Sequence, residues 1–174
     1  VARYSQVQHA VACASGTDAL LLAMWTLGIG PGDEVISPAY SFFATAGTIS
    51  NNGATPVFVD IDPRSLNMNP ELVERAITPR TKAILAVETF GNPRHMDAYR
   101  AIAAKHEIRL IEDSCEGLGG SYKGRAVGAL HHSPTRIDAP QLHGSVVAWD
   151  DVLDDLARSL TATIDAHGPD SVGA

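Results

Sequence analysis

The chain has 174 residues, of which 45% are hydrophobic and 19% are charged, as in a folded globular protein rather than a disordered one. Its net charge of -7 and the lack of a basic block argue against nucleic acid or an anionic membrane surface as partner. No apolar run approaches the roughly 18 residues that span a bilayer. Two isolated cysteines, Cys13 and Cys115, fit a reducing cytoplasm better than a disulfide framework. We therefore expect a cytoplasmic protein with no nucleic acid and no membrane partner.

Strand-like and helix-like stretches alternate from the start of the chain. Residues 8–13 are interpreted as a short strand that leads into a helix capped by Ser15, whose hydroxyl can accept a free N–H of the first turn. A later helix begins at Asn69-Pro70, a capping side chain followed by proline at the first helical position. Further strands are predicted at 34–37, at 55–60 and at 82–87, and the strand at 55–60 is expected to be buried. Further helices are predicted at 41–52 and 96–106.

The stretch around Asp113 has the pattern of a buried parallel strand that ends at a ligand site. A short apolar run from Ile108 to Ile111 ends in Glu112 and Asp113, and a glycine-rich turn follows. Ligands in open α/β folds bind outside the carboxyl ends of the strands. Asp113 is therefore the first candidate site residue, with a helix cap or a structural ion pair as the alternative. A small hairpin is predicted at 121–127.

Strands that alternate with helices of roughly 10 to 13 residues indicate βαβ units and a mainly parallel sheet. The predicted fold class is therefore α/β. The pattern changes after Gly128: residues 129–147 have no clear period and are interpreted as a linker or junction. Residues 150–167 are predicted to form a helix, because apolar residues recur on one face and four aspartates lie near its amino end.

Two further motifs lie where predicted strands end. Ser15-Gly16-Thr17-Asp18 opens a helix, where free N–H groups and the helix dipole favour a phosphate, although an ordinary capped helix gives the same motif. Tyr40, Phe42 and Phe43 follow the strand at 34–37, and one of them could stack on a planar ring or simply pack in the core. Together with Asp113, these motifs describe a socket for pyridoxal phosphate, in which an acid holds the pyridinium nitrogen protonated.

Residues of about 5–128 resemble the DegT/DnrJ/EryC1/StrS family, which consists of pyridoxal-phosphate-dependent nucleotide-sugar aminotransferases. The resemblance rests on several motifs in the family's order, namely ASGTDAL at 14–20, GIGPGDEVI at 28–36, GATPVFVDID at 53–62, ITPRTKAI at 77–84 and IEDSCE at 111–116. It implies part of the three-layer α/β/α large domain of the aspartate-aminotransferase fold. It also implies a nucleotide-sugar substrate and a homodimer.

By that resemblance, the residues that bind pyridoxal phosphate are Gly16, Thr17, Asp18, Phe42, Asp113 and Glu116. Residues 16–18 would lie at the cofactor phosphate, Phe42 would stack on the pyridine ring, and Asp113 would pair with the ring nitrogen. Glu116 occupies a position near the ring hydroxyl where many relatives carry glutamine. A carboxylate there is electrostatically unfavourable unless it is protonated or turned away.

The family pattern also requires a lysine that attaches the cofactor covalently, about 14 residues beyond Gly128. The only lysines of this sequence are Lys82, Lys105 and Lys123, and each lies in a stretch that matches a non-catalytic part of the family. The resemblance therefore implies non-covalent cofactor binding at best and no transamination by this chain. The alternative is a non-catalytic binding module, or a nonfunctional fusion or truncation product.

The tail has a resemblance of its own. Residues 147–153 and 164–172 are similar to a fragment of the molybdopterin oxidoreductase family, although they contain no metal ligand. The expected organisation is therefore a mosaic: a partial transferase domain at 1–128, a junction at 129–147 and a helical fragment at 148–174.

Overall fold

The computed structural model of the protein describes residues 2–5, 7–117, 119–126, 141–142 and 145–146. The chain divides into two compact units, Val1–Arg136 and Ile137–Ala174. The boundary between them falls inside the region for which the sequence predicts a junction. The helix predicted at 150–167 lies outside the described residues.

A parallel sheet forms the centre of the first unit, as the alternating pattern predicts. Its strands are β1 (Glu34–Pro38), β2 (Thr55–Val59), β3 (Thr81–Val87) and β4 (Arg109–Asp113), in the order β2-β1-β3-β4. All three pairings are parallel, so the carboxyl ends of these strands lie at one edge of the sheet.

Helices connect the strands and cover both faces of the sheet. They are α1 (Gly16–Thr26), α2 (Phe43–Asn51), α3 (Pro70–Arg75) and α4 (Met96–Lys105), and a 3₁₀ turn spans Thr89–Gly91. Two short antiparallel hairpins follow: β5 (Ser121–Tyr122) with β6 (Arg125–Ala126) in the first unit, and β7 (Gln141–Leu142) with β8 (Ser145–Val146) in the second.

Side chains that alternate along the strands divide the core into two layers. The layer under α1 and α2 contains Leu20, Met24, Val35, Ile49, Leu85 and Ile111. The layer under α3 and α4 contains Ile36, Val73, Ile84, Ala86, Met96, Tyr99 and Ile102. The predicted α/β/α arrangement is thereby confirmed for this part of the chain.

Helix caps form where the sequence predicts them. The Ser15 hydroxyl accepts the Asp18 amide N–H at 3.1 Å, and the Asn69 side chain accepts the Glu71 N–H at 2.9 Å. Each cap satisfies an amide that would otherwise have no partner at a helix start. The hairpin predicted at Lys123-Gly124 is also confirmed.

Two sequence-based expectations about strands are corrected. Residues 8–13 do not form a strand: they are irregular, and residues 8–14 are exposed. Within the described residues no strand pairs with them, and an unpaired segment has no ladder to hold it extended. The strand β2, expected to be buried, is only partly so because it lies at the edge of the described sheet; Phe58 is 56% exposed.

Candidate functional site

The carboxyl edge of the sheet brings two of the predicted motifs together. The first residue of α1, Gly16, packs against the loop that follows β4: a Cβ at this position would lie 3.0 Å from the Sγ atom of Cys115. Cys115 is two residues beyond Asp113. The helix start that the sequence associates with phosphate therefore lies beside the acid that it associates with a ring nitrogen.

The start of α1 has unused hydrogen-bond donors. Ser15 and Asp18 satisfy each other, since the Ser15 hydroxyl accepts the Asp18 N–H and donates to Asp18 Oδ2 at 2.7 Å. Within the described residues, no acceptor bonds the amides of Gly16 and Thr17. Two free N–H groups at the positive end of a helix dipole are a ready-made anion site. The Asp18 carboxylate therefore stabilises the helix cap, because one of its oxygens accepts the Ser15 hydroxyl.

Asp113 is the last residue of β4 and is partly buried. By alternation from Ile111, it lies on the α1 side of the sheet. Its Oδ1 accepts the Cys115 N–H at 3.2 Å, so one carboxylate oxygen shapes the turn after the strand. Asp113 therefore has a structural part in this turn, which is neither the helix cap nor the ion pair considered as its alternatives, and its second oxygen can still accept a hydrogen bond from a ligand.

Cys115 acts as a packing group at this edge and is unsuited to be a nucleophile. Its hydrogen bond to Asp113 is the largest cause that raises the pKa of the thiol to about 11, and burial adds to the shift. The thiol is therefore protonated at neutral pH, whereas a reactive cysteine requires the thiolate.

The Glu116 carboxylate has a hydrogen-bond partner within the protein. Its Oε2 accepts the backbone N–H of Phe90 at 2.7 Å, which ties the loop after β4 to the turn after β3. The same two loops approach closely at Gly91, where a Cβ would lie 2.7 Å from the Glu116 carbonyl oxygen. Only glycine fits there, and its φ of +71° is also one that glycine adopts readily.

The turn at Phe90 also lies at this edge of the sheet, and the sequence analysis predicted no role for it. Phe90 has a φ of 56° and its side chain is 69% exposed, so a strained residue presents an aromatic ring to solvent at the end of β3. The only local signal is the run Phe90-Gly91-Asn92-Pro93, which has the composition of a turn.

Phe42 immediately precedes α2 and is 79% exposed, and Phe43 is 83% exposed. Packing in the core, the alternative for these rings, is therefore wrong. The structure places Phe42 at the edge where β1 ends but brings its ring into no described contact with Gly16 or Asp113. An exposed ring face at this edge is available to stack on a planar group.

None of the three lysines supplies an amine to this edge. Lys82 is exposed near the amino end of β3. Lys105 pairs with Glu74 at 2.6 Å, and Lys123 pairs with Asp97 on α4, which covers the face of the sheet opposite to α1.

Within the described residues there is no group of three or more metal-ligating side chains, and no helix is long and apolar enough to cross a membrane.

Comparison with known proteins identifies relatives for most of the chain. Residues 1–135 match the DegT/DnrJ/EryC1/StrS aminotransferase family. The UDP-2-acetamido-2-deoxy-3-oxo-D-glucuronate aminotransferase of Pseudomonas aeruginosa is 50% identical over 125 residues, which are 72% of this chain and 35% of that protein. The pleiotropic regulatory protein of Geobacillus stearothermophilus is 41% identical over 97% of this chain and 46% of its own length.

Solved structures resemble the chain in fold as well as in sequence. DesV of S. venezuelae has a TM-score of 0.72 and 47% identity, over 74% of this chain and 34% of its own. NtdA of Bacillus subtilis, solved with bound cofactor PMP, has a TM-score of 0.68 and 41% identity, over 71% of this chain and 28% of its own. The chain thus spans between 28% and 46% of the length of these relatives.

The expected molybdopterin-oxidoreductase fragment in residues 140–174 is not borne out. The Geobacillus relative aligns with 97% of the chain, and therefore with most of the tail as well. A helix with an apolar stripe and a Gly-Pro turn is too common a pattern to identify a family over about 35 residues.

Proposed function

The chain belongs to the DegT/DnrJ/EryC1/StrS aminotransferase family, and we propose that it carries the pyridoxal phosphate cradle of a nucleotide-sugar aminotransferase. Such an enzyme transfers an amino group from an amino acid to a keto-sugar. The packing of Gly16 against Cys115 is the observation that carries the proposal. It sets the free amides of α1 beside the strand end that bears Asp113.

The residues at this edge fit the chemical groups of the cofactor. The amides of Gly16 and Thr17 would hold the phosphate, with Ser15 and Asp18 fixing the helix start that presents them. Phe42 offers an exposed ring face, and the second oxygen of Asp113 would accept the N–H of the pyridine nitrogen. When bound, pyridoxal phosphate supplies an electron sink, provided that an acid keeps this nitrogen protonated.

We propose that Glu116 contributes to the site indirectly. Its carboxylate bonds Phe90 N–H and so keeps its charge away from the oxygen on the ring. This arrangement removes the repulsion that a glutamate at this position would otherwise cause. Glu116 is thus proposed to shape the wall of the site by holding the turn after β3.

We propose that this chain by itself binds the cofactor non-covalently and does not transaminate. The positions of the three lysines support this, since two are paired elsewhere and the third lies at the opposite end of β3. The same observation favours a second candidate, a non-catalytic binding module. Cofactor that stays attached to the unfolded chain after borohydride reduction would contradict the non-covalent proposal.

We also propose a nucleotide-linked sugar as substrate, a homodimer as the assembly and the cytoplasm as the location. The name of the Pseudomonas aeruginosa relative supports a nucleotide-linked sugar as substrate. Family resemblance supports a homodimer, and the exposed aromatics at the carboxyl edge offer it a surface. Two free cysteines support a cytoplasmic location.

Titration with pyridoxal phosphate, followed by cofactor absorbance and equilibrium dialysis, tests the cradle. Asp113→Asn keeps an acceptor for the Cys115 N–H but removes the charge, so we expect affinity to fall at least about tenfold, as for a lost hydrogen bond to a charged group. Asp60→Asn is the matched control, because Asp60 also follows a strand and the one hydrogen bond of its side chain within the described residues is from the neighbouring Ile61 N–H.

The control variant should bind as the unmodified chain does. Equal affinities for the chain with Asp113→Asn and the chain with Asp60→Asn would remove Asp113 from the site. Absence of any binding by the unmodified chain would contradict the cradle itself and leave the non-catalytic candidate.

A further inference from the structure

One buried asparagine connects the loop after β2 to the turn after β3. Asn67 lies in that loop, is 1% exposed, and uses both ends of its side-chain amide on the turn. Its Oδ1 accepts the Thr89 N–H at 3.2 Å, and its Nδ2 donates to the carbonyls of Asn92 at 2.7 Å and Arg94 at 3.0 Å. One donor and two acceptors around the amide also fix which end is oxygen and which is nitrogen.

The turn returns this connection from its own side. The Asn92 Nδ2 donates to the Ser65 carbonyl at 3.1 Å, so each segment bonds the backbone of the other through an asparagine side chain. These hydrogen bonds join residues 65–67 to residues 89–94. A buried amide that is bonded at both ends holds its partners firmly, because breaking one contact leaves a buried polar group without a partner.

The turn after β3 has a backbone that its own residues do not favour. Phe90 has a φ of 56° and His95 one of 74°, both in the left-handed region that residues with a side chain rarely adopt. Such conformations persist only where the surrounding structure over-determines them. Phe90 lies between Thr89 and Asn92, whose backbone groups Asn67 bonds. Asn67 therefore fixes the backbone on both sides of this strained residue.

The same turn meets the end of β4 and the loop that follows it, where candidate site residues lie. The Glu88 N–H donates to the Asp113 carbonyl at 3.0 Å, and the Phe90 N–H donates to Glu116 Oε2 at 2.7 Å. Gly91 packs so closely that a Cβ there would lie 2.7 Å from the Glu116 carbonyl oxygen. Contacts this close require one position of the turn, so a group that holds the turn also determines how it meets Asp113 and Glu116.

We propose that Asn67 is a positioning residue of the candidate site, with Asn92 as its counterpart on the turn. Asn67 holds the turn after β3 in the conformation that bonds the strand end of Asp113 and the side chain of Glu116. Its own side-chain hydrogen bonds are to the turn, so its effect reaches these two residues through the turn. The consequence for pyridoxal phosphate rests on the proposed function, whereas the connection itself does not.

Amide hydrogen exchange of the 174-residue chain, measured by NMR without cofactor, tests the connection. In Asn67→Ala we expect the Phe90 N–H, whose acceptor is Glu116, to exchange at least about tenfold faster than in the unmodified chain, the factor for one lost hydrogen bond. The matched control is Asn69→Ala, which removes the nearby side-chain cap of α3. It should accelerate exchange at Phe90 no more than exchange of residues 83–85 in the middle of β3.

Equal exchange at Phe90 in the two variants, each taken relative to residues 83–85, would overturn the proposal. If Asn67→Ala does not fold, Asn92→Ala decides instead, because it breaks the connection from the side of the turn. We expect the same faster exchange at Phe90 in that variant, and unchanged exchange there would likewise overturn the proposal.

Titration with pyridoxal phosphate adds a functional readout. Affinity should fall at least about twofold in Asn67→Ala, the value for a turn that is ordered in half of the molecules, and stay unchanged in Asn69→Ala. Faster exchange at Phe90 with unchanged affinity would overturn the role of Asn67 at the site. Absence of binding by the unmodified chain would be a failure of the proposed function, and exchange would then decide the connection alone.

Discussion

At the scale of single residues, Gly16 and Gly47 leave equally little room for a side chain, but we expect their replacement by alanine to have different effects. A Cβ at Gly16 or at Gly47 would lie 3.0 Å from a side-chain atom, which is the Cys115 sulfur in one case and the Phe43 ring in the other. The Phe43 ring is 83% exposed and can rotate away. Cys115 lies in a turn that is fixed by the hydrogen bond from its backbone N–H to Asp113 Oδ1, so we expect a methyl group at position 16 to displace the start of α1.

We expect Gly16→Ala to weaken pyridoxal phosphate binding about tenfold, because it disturbs an amide that would bond a charged phosphate. Gly47→Ala should leave binding unchanged and raise the free energy of unfolding by about 0.5–1 kcal/mol, as expected when alanine replaces glycine inside a helix. Cofactor titration and urea unfolding of both variants measure these effects. Equal cofactor affinity in the two variants would argue against a phosphate at Gly16.

At the scale of elements, one buried acid connects β1 with the turn before β3, at the edge of the sheet where the strands begin. Glu34 begins β1, and its carboxylate accepts hydrogen bonds from the Thr78 hydroxyl and the Arg80 guanidinium of the turn before β3. The bond from Thr78 is the largest cause that lowers the pKa of Glu34, and Arg80 adds to it. This network connects neighbouring strands at the edge opposite to the candidate site.

The lowered pKa predicts a loss of stability in acid. A depressed folded-state pKa contributes stability that is present above the ordinary value of 4.5 and is lost as pH falls through the folded-state pKa. Glu34→Gln should therefore lower the urea midpoint at neutral pH and flatten its decline in acid. Glu71→Gln, which removes an exposed pair with Arg75, should leave both nearly unchanged. A decline in Glu34→Gln as steep as in the unmodified chain would show that another group is responsible.

At the scale of the whole molecule, the chain is a part of the fold of its relatives and exposes large apolar side chains. It covers 35% of the length of the Pseudomonas aeruginosa relative. In the part of the chain that the structure describes, the large apolar residues that are at least half exposed are Tyr4, Val11, Trp25, Tyr40, Phe42, Phe43, Phe58 and Phe90. Exposed apolar groups of this size favour association or aggregation.

We expect self-association through the carboxyl edge, where Phe43 begins α2. Phe43→Ser should shift sedimentation velocity profiles toward the monomer, because it removes an aromatic ring that is 83% exposed. Trp25→Gln is the control: Trp25 is 51% exposed but lies near the other end of α1, away from that edge. An equal shift in both variants would indicate non-specific association rather than a defined interface.

Local patterns in the chain were sufficient to predict the α/β class, the caps at Ser15 and Asn69, and the position of Asp113 at the end of a strand. Each of these depends on neighbours a few residues apart, where periodicity and capping act. The tertiary structure decided the hydrogen bond from Phe90 to Glu116, 26 residues apart, and the burial of Glu88, whose N–H bonds the Asp113 carbonyl. It also showed that β2 is only partly buried, since strand order determines which strand lies at an edge. Such long-range contacts leave no local period, because they depend on how strands distant in sequence pair in space.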